Sequence, residues 1–478
     1  MRTKNSFLVV ISLLFLFTGS MNAQDRGRQS SPWSNGKLKV SENGRFLQHE
    51  NGKPFFWLGE TAWLFSSRLN RDEAGFFIGE TARNGFNVIQ MSVLHSFGMM
   101  SAYAHPALLN RFDFSGIDKD GEYNYWKHVD YIVQQAASRG IYIAIVCVWG
   151  GNARSMSVED AQKYGEFLGK RYGNQPNIIW LIGGDIRGDA APDVFNALAT
   201  TIKTYAPDHL MSFHPFGRTM SAVWFNDASW LDFNMFQSGH RRYGQRRGDG
   251  EYTIDDYTEE DSWRFVERSM AFKPVKPVLD GEPSYEHIPQ GLHEAWETRW
   301  QASDVRRYAY WSVFAGACGH TYGHSSIMQM YRPGVGPAYG AEIPWWEAVN
   351  DPGRQSMVHL KTLMLAFPYF DRIPDQSVIA GTNGAQYERV IATRGNDYIL
   401  IYNYTNRRVE IDMTKISGAK KKAWWYSPVT GRTEYIGEFE NGKQAFNRDS
   451  AYGAGNDWVL IITDAQVKYV EDNLSRRQ

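Results

Sequence analysis

The chain predicts a (β/α)8 TIM barrel followed by a small all-β antiparallel sandwich domain. Three observations carry this reading. Apolar runs alternate with amphipathic helical patterns over most of the chain, the period changes to two after Pro374, and 478 residues exceed one ordinary core. Strands of a parallel sheet are covered on both faces and so read as near-continuous hydrophobic stretches.

Taken in order, Arg2 and Lys4 precede an apolar run over 7–17 and the segment Ser20-Met-Asn-Ala23. That is a signal peptide, residues 1–23, cleaved after Ala23 and too short to span a bilayer. No cysteine follows for lipid attachment, so the mature protein is expected to be exported, periplasmic or secreted, with no membrane anchor. Eight barrel strands are expected at 55–63, 87–94, 142–149, 178–185, 210–215, 231–237, 277–282 and 318–322. Helices are expected at 125–139, 158–172, 193–205 and 304–315, and the first places Val129, Ile132, Val133 and Ala136 on one stripe before Gly140. The crossover after the fifth strand is short. Long loops at 96–122 and 323–352 should emerge on the face where barrel enzymes work. A last helix over 354–367 leads to Pro368 and Pro374, then six short strands with Asn383-Gly, Arg394-Gly and Asn441-Gly turns between them. The expected domains are a barrel over 32–370 and a β-sandwich over 375–467.

Composition excludes some partners. With 51 basic and 52 acidic residues the net charge is −1, which leaves no electrostatic footprint for nucleic acid. Aromatics make up 15%, a richness that suits stacking on sugar rings and equally a large core. The two cysteines, Cys147 and Cys318, are assigned to the third and eighth strands, which lie beyond disulfide reach, so two buried thiols are expected.

The chemistry is read where strands stop. The runs ending Ile182-Gly-Gly-Asp185 and Leu279-Asp-Gly-Glu282 each deliver a carboxylate at the end of an apolar stretch. Either one alone could cap a helix or pair with an arginine such as Arg187. Together, on the fourth and seventh strands, they stand on opposite sides of a barrel and could flank one glycosidic bond, one as acid and one on the other side of the anomeric carbon. Gly183-Gly184 and Gly281 are expected to let substrate approach the backbone. Other strand ends offer Glu60, Trp63, His95, Trp149, His214, Gln237, His240, His320 and Tyr322 to sugar hydroxyls, with Arg187 just past the acid. His320, Tyr322 and His324 match no metal-ligand spacing, and no cofactor is expected. His293-Glu294-Ala-Trp-Glu297 begins like a zinc-protease helix but lacks the second histidine. Serine-hydrolase and P-loop motifs are absent.

The segments Phe56-Trp-Leu-Gly-Glu-Thr-Ala-Trp63, Asn87-Val-Ile-Gln, Ile179-Trp-Leu-Ile-Gly-Gly-Asp185, His214-Pro-Phe-Gly and Leu279-Asp-Gly-Glu282-Pro resemble the apiosidase-like barrels of glycoside hydrolase family 140. Ala423-Trp-Trp-Tyr-Ser-Pro-Val-Thr-Gly431 resembles the small β domain that follows such barrels, labelled for collagen binding in a collagenase. The resemblance implies a retaining enzyme that cuts the linkage between apiose and galacturonic acid in the pectin rhamnogalacturonan II. It implies Asp185 as acid/base and Glu282 as nucleophile. In the larger clan the fourth strand ends Asn-Glu, where this chain has Gly184-Asp185. Aspartate is one methylene shorter, so the loop must bring it closer or the site must be tighter. Trp424 and Trp425 are expected in the sandwich core and against the barrel. A galacturonate substrate would need a cation, and Arg241, Arg242, Arg246 and Arg247 beside His240 are the candidates, with Arg187. The alternatives are a glycosidase of this fold acting on another glycan, or a non-catalytic glycan- or collagen-binding protein.

Overall fold

The computed structural model describes residues 32–118, 123–245 and 258–474. The signal peptide expected at 1–23, Arg246 and Arg247 lie outside the described residues. Eight parallel strands form the barrel: β1 (Trp57–Thr61), β2 (Val88–Ser92), β3 (Tyr142–Val146), β4 (Ile178–Ile186), β5 (Met211–Pro215), β6 (Asn234–Phe236), β7 (Val278–Asp280) and β8 (Gly319–Tyr322). Their ladder runs β5-β4-β3-β2-β1-β8-β7-β6. The remaining seam, between β5 and β6, is bridged rather than laddered. Asp232 N–H donates to Met211 O at 2.9 Å and Ser212 Oγ to Phe233 O at 2.6 Å.

Strand parity sets what fills the barrel. Val88, Gln90, Ala144, Val146, Ile179 and Leu181 point inward, while Ile89, Met91, Ile143, Ile145, Trp180 and Ile182 face the helices. Those helices are α1 (Arg71–Arg83), α2 (Tyr125–Ser138), α3 (Val158–Tyr172), α4 (Pro192–Tyr205), α5 (Asp261–Ala271), α6 (Ala302–Phe314) and α7 (Pro352–Leu365). The sequence reading did not include α1, although Asn70 and Glu73 form a full capping box at its start. Between β5 and β6 there is only the short helix Ala222–Phe225, in line with the short crossover. An unanticipated antiparallel ribbon, Leu38–Val40, Leu47–His49 and Pro54–Phe55, closes the N-terminal end of the barrel, with Phe55 edge-on to Tyr142.

After α7 come β9 (Ile373–Pro374), β10 (Val390–Arg394), β11 (Tyr398–Asn403), β12 (Val409–Asp412), β13 (Lys420–Tyr426), β14 (Thr433–Glu440), β15 (Lys443–Phe446) and β16 (Trp458–Asp464). Six form one antiparallel sheet in the order β9-β10-β11-β16-β13-β14, and β12 pairs with β15. The central strands of the large sheet are buried on both faces. Tyr398, Leu400, Tyr402 and Trp424 pack with Trp311 and Phe314 of α6, whereas Ile399, Ile401 and Trp425 pack with Val409 and Ile411 of the small sheet. Arg306 holds Asp457 through two hydrogen bonds of 2.9 and 2.7 Å across the same interface. Cys147 and Cys318 are buried and not bonded to each other.

Candidate active site

Asp185 owes its place to a bulge. Gly183 lies opposite His214 and Ile186 opposite Pro215, so two residues of β4 have no partner on β5. The chain makes this detour at positive φ three times running, 82° at Gly183, 124° at Gly184 and 51° at Asp185. Aspartate is among the few residues with a side chain that tolerate that region, and such strain concentrates at functional sites. A Cβ on Gly183 would meet His214 O at 2.7 Å, and one on Gly184 would meet Val146 Cγ1 at 2.9 Å. These glycines therefore serve internal packing. So does Gly281, whose Cβ would strike Met235 Sδ at 2.4 Å. The expectation that they clear a path for substrate is corrected.

Glu282 lies two residues beyond β7 and is buried. His240 Nε2 is 3.3 Å from its Oε1, and His214 Nε2 is 3.4 Å from its Oε2. The tautomer of His214 follows from its other nitrogen. Nδ1 lies 3.2 Å from the backbone N–H of Asp185 and accepts from it, so a neutral ring carries its proton on Nε2, facing Glu282. Burial holds both histidines down to about 3, which keeps them neutral. The carboxyls move the other way. Burial, then the charge of Glu282, pushes Asp185 up to about 7, and burial pushes Glu282 up to about 8. Half-buried Asp185 and buried Glu282 repel each other and titrate as a coupled pair. His214 Nε2 and Glu282 Oε2 face each other at 3.4 Å with no hydrogen bond between them, and the Tyr285 hydroxyl favours the ionised form of Glu282. The Gly217 N–H and the Gln237 side chain do the same for Asp185. Among the described residues neither carboxylate forms an ion pair with lysine or arginine.

Asp185 and Glu282 line one cavity of about 250 Å³, with Gln237 and His240. Trp63, Trp149 and His95 form an aromatic row behind it. Trp63 stands edge-on to His214 at 5.1 Å, Trp149 follows at 5.1 Å from Trp63, and His95 lies 4.7 Å from Trp149. Other walls were not anticipated. Phe216, Gly217 and Arg218 follow β5, Leu292 and His293 follow β7, and Met328 and Tyr339 follow β8. The first three directly continue the His214-Pro215 strand end and were legible there. The rest come from long loops and carry no local signal. Of the two long loops, the one after β8 reaches the cavity, and none of the described residues of the one after β2 lines it.

Four expected sugar contacts are corrected. Glu60 is wholly buried on the outer face of β1, where Arg354 of α7 holds both its oxygens and Thr81 donates at 2.8 Å. His320 and Tyr322 share the outward parity of β8. His320 faces Ser312 of α6, and the Tyr322 hydroxyl donates to Glu286 at 2.6 Å. Arg187 turns to Asp189 and lies over Trp224, outside the cavity lining. One further cluster has ligand-type atoms, since His287, His324 and Asp351 bring theirs within 4.8 Å of one another. His324 Nδ1 accepts the Ser326 N–H at 2.9 Å, so its Nε2 proton goes to Asp351 at 2.8 Å, while His287 Nε2 stands 3.4 Å from the same carboxylate.

Comparison with known proteins agrees with this geometry. Residues 41–371 match the family described as "Apiosidase-like, catalytic domain", and residues 373–463 match "Putative collagen-binding domain of a collagenase". No curated protein matches the chain. A solved structure described as "Glycoside hydrolase" is 60% identical, covers 92% of this chain and 99% of its own, and superposes with a TM-score of 0.90. A glycoside hydrolase family 5 structure from Bacteroides vulgatus ATCC 8482 is 58% identical over 92% of this chain and 96% of its own, also at 0.90. A near-closed parallel barrel with two carboxyls lining one cavity, matched over its length by that family, is a glycoside hydrolase, and the chain belongs to the apiosidase-like family.

Proposed function

We propose that this enzyme is an exported, retaining glycoside hydrolase that cleaves the apiose–galacturonic acid linkage of rhamnogalacturonan II. The observation that carries the retaining reading is the pair itself. Asp185 and Glu282 line one cavity and are coupled to each other, and Glu282 has an imidazole nitrogen within 3.4 Å of each oxygen. In the first step Asp185 protonates the leaving oxygen while Glu282 attacks the anomeric carbon from the opposite side, giving a glycosyl-enzyme. Asp185, now ionised, then removes a proton from the water that displaces Glu282. Retention needs carboxyl groups about 5–5.5 Å apart, against roughly 6.5–9.5 Å for an inverting pair with water between.

Substrate identity has two supports, the family match and the cavity wall. The cavity is smaller than ligand sites of roughly 300–1,000 Å³, which suits one sugar at a chain end. Arg241 on its wall can meet a galacturonate carboxylate. Export rests on the N-terminal sequence alone. The test is product NMR on rhamnogalacturonan II fragments and a panel of other pectic oligosaccharides. Release of β-configured apiose from a β-linkage supports the reading, and an inverted product makes Glu282 a base. Asp185→Ala should spare aryl glycosides with very good leaving groups, because these need little protonation. Equal loss on the most activated aryl glycoside removes Asp185 from the acid role.

A further inference from the structure

His240 and Arg241 reach the cavity from the segment after β6, and that segment is held from a distance. Gly239 N–H donates to Glu282 O at 3.0 Å, Gly291 N–H to His240 O at 2.9 Å, and Arg241 Nη1 to Gly291 O at 2.8 Å. These bonds tie the segment to the loop after β7. Its other side leans on a buried cluster at the edge of the C-terminal domain. Glu259 accepts the Tyr243 N–H at 3.1 Å and Arg307 of α6 at 2.6 Å. The Tyr387 hydroxyl, from the C-terminal domain, stands 3.1 Å from both Glu259 oxygens. Gln386 N–H donates to the neighbouring Glu260 at 3.1 Å, and the Tyr387 ring meets that of Tyr243 at 5.4 Å. The Arg307 guanidinium sits within about 5 Å of the ring centroids of Tyr308, Trp311, Tyr387 and Tyr404, of which Tyr387 and Tyr404 belong to the C-terminal domain.

We infer that the C-terminal β domain works for the reaction as a positioning element, its Tyr387 locking the Glu259–Arg307 pair that holds residues 239–245 and so the aim of His240 at Glu282. A domain matched by a collagen-binding description thereby acts as a clamp on the active-site wall. The chain of contacts is continuous from Tyr387 to Glu282, and Glu259 and Arg307 are nearly free of solvent. Low dielectric strengthens each of those bonds and makes an unpaired partner costly. The inference rests on the assignment of Glu282 as nucleophile.

The experiment compares Tyr387→Phe and Glu259→Gln with Asp457→Asn in the full-length protein. Asp457 pairs with Arg306 at the same interface without touching the 239–245 segment. Two measurements are made, amide hydrogen exchange and the pH profile of kcat/KM on an aryl β-apioside and on rhamnogalacturonan II fragments. Tyr387→Phe and Glu259→Gln should speed exchange at 239–245 by tenfold or more and lower kcat with little change in KM. They should also move the acidic limb upward by about half a pH unit. That limb reports Glu282 among the groups that face it, namely Asp185, His214, His240 and Tyr285. Asp457→Asn should lower Tm and leave exchange at 239–245 and the profile in place. If Tyr387→Phe and Glu259→Gln behave as Asp457→Asn does, the clamp is overturned. Glu282→Gln separates the two readings, because loss of turnover there with no effect at Tyr387 refutes the clamp alone, while full activity there refutes the nucleophile.

Discussion

Glu282 and Glu60 are both glutamates at the active end of the barrel, 7% and 0% exposed, and they occupy opposite electrostatic surroundings. Glu60 meets a guanidinium that holds both oxygens. Glu282 meets two neutral imidazoles, a phenol and a second carboxyl, with no lysine or arginine paired to it among the described residues. The same contrast separates Asp185 from Asp457 and Glu259, which sit with Arg306 and Arg307. A buried carboxylate matched to an arginine is a fastener, whose removal strands a charge. A buried carboxylate without one keeps its proton near neutral pH and is poised to trade it. Burial is common to both classes, so burial does not mark the site. A missing cation together with a place on the cavity wall does, since Asp280 and Glu286 are buried without an arginine or lysine ion pair among the described residues and lie outside that wall.

The largest effect that would break this comparison is at Glu282. Glu282→Gln should cut kcat by about 10⁴-fold or more while raising Tm. The sign follows from linkage. Glu282 is raised from 4.5 to about 8 in the folded protein, so the folded state binds a proton more tightly than the unfolded chain. Stability present below about pH 4.5 is lost as pH rises toward 8, and the amide removes that loss. Thermal melts from pH 4 to 9 should show the variant's advantage growing with pH. A variant less stable than the parent at pH 8 would place Glu282 with the fasteners. Glu60→Gln should do the reverse. It should cost about 3–5 kcal/mol of stability by stranding Arg354, with kcat/KM per folded molecule intact, as urea titration and active-site counting would show. A selective rise in KM would return Glu60 to the substrate.

Arg241→Ala sharpens the substrate side. Losing a charge-assisted contact of about 1.5–3 kcal/mol should lower kcat/KM roughly ten- to a hundredfold on acidic substrate and far less on its carboxyl-reduced form. Equal losses on both would remove the cavity's support for a galacturonate. Asp280→Asn should have the smallest effect. Asp280 is fully buried, pushed up to about 8 by burial, accepts its hydrogen bonds from Ser238, and lies outside the cavity lining. Activity should stay within about threefold and Tm should hold or rise above pH 8. A collapse of activity would add a third working carboxyl to the pair.

Much of this was legible before the coordinates. Eight strands were placed within a few residues, because a strand covered on both faces needs an unbroken apolar run wherever it lies. Cys147 and Cys318 were read as buried thiols for the same reason. A two-residue period splits Trp424 from Trp425, and the structure assigns Trp424 to the barrel side and Trp425 to the sandwich core, the reverse of the order expected. Three of the four misplaced sugar contacts have one physical origin. Knowing that a strand ends at Glu60 or Tyr322 does not say which of its two faces looks into the barrel. A slip of one residue exchanges cavity for helix layer.

The sequence by itself determined the architecture and nominated Asp185 and Glu282, because apolar periodicity and strand-terminal carboxylates are local facts. Tertiary structure decided the rest. Strand pairing and barrel closure chose parity, sending Glu60, His320 and Tyr322 outward and Gln90 inward. The unpaired residues of β4 re-aimed Asp185, a detour that exists only relative to the register of β5. His293 and Tyr339 reached the cavity on loops whose paths are set by distant contacts, such as Arg299 Nη2 to Gly340 O at 2.8 Å. Desolvation raises both Asp185 and Glu282, with repulsion from Glu282 added at Asp185, and neither effect exists until the chain has closed around them.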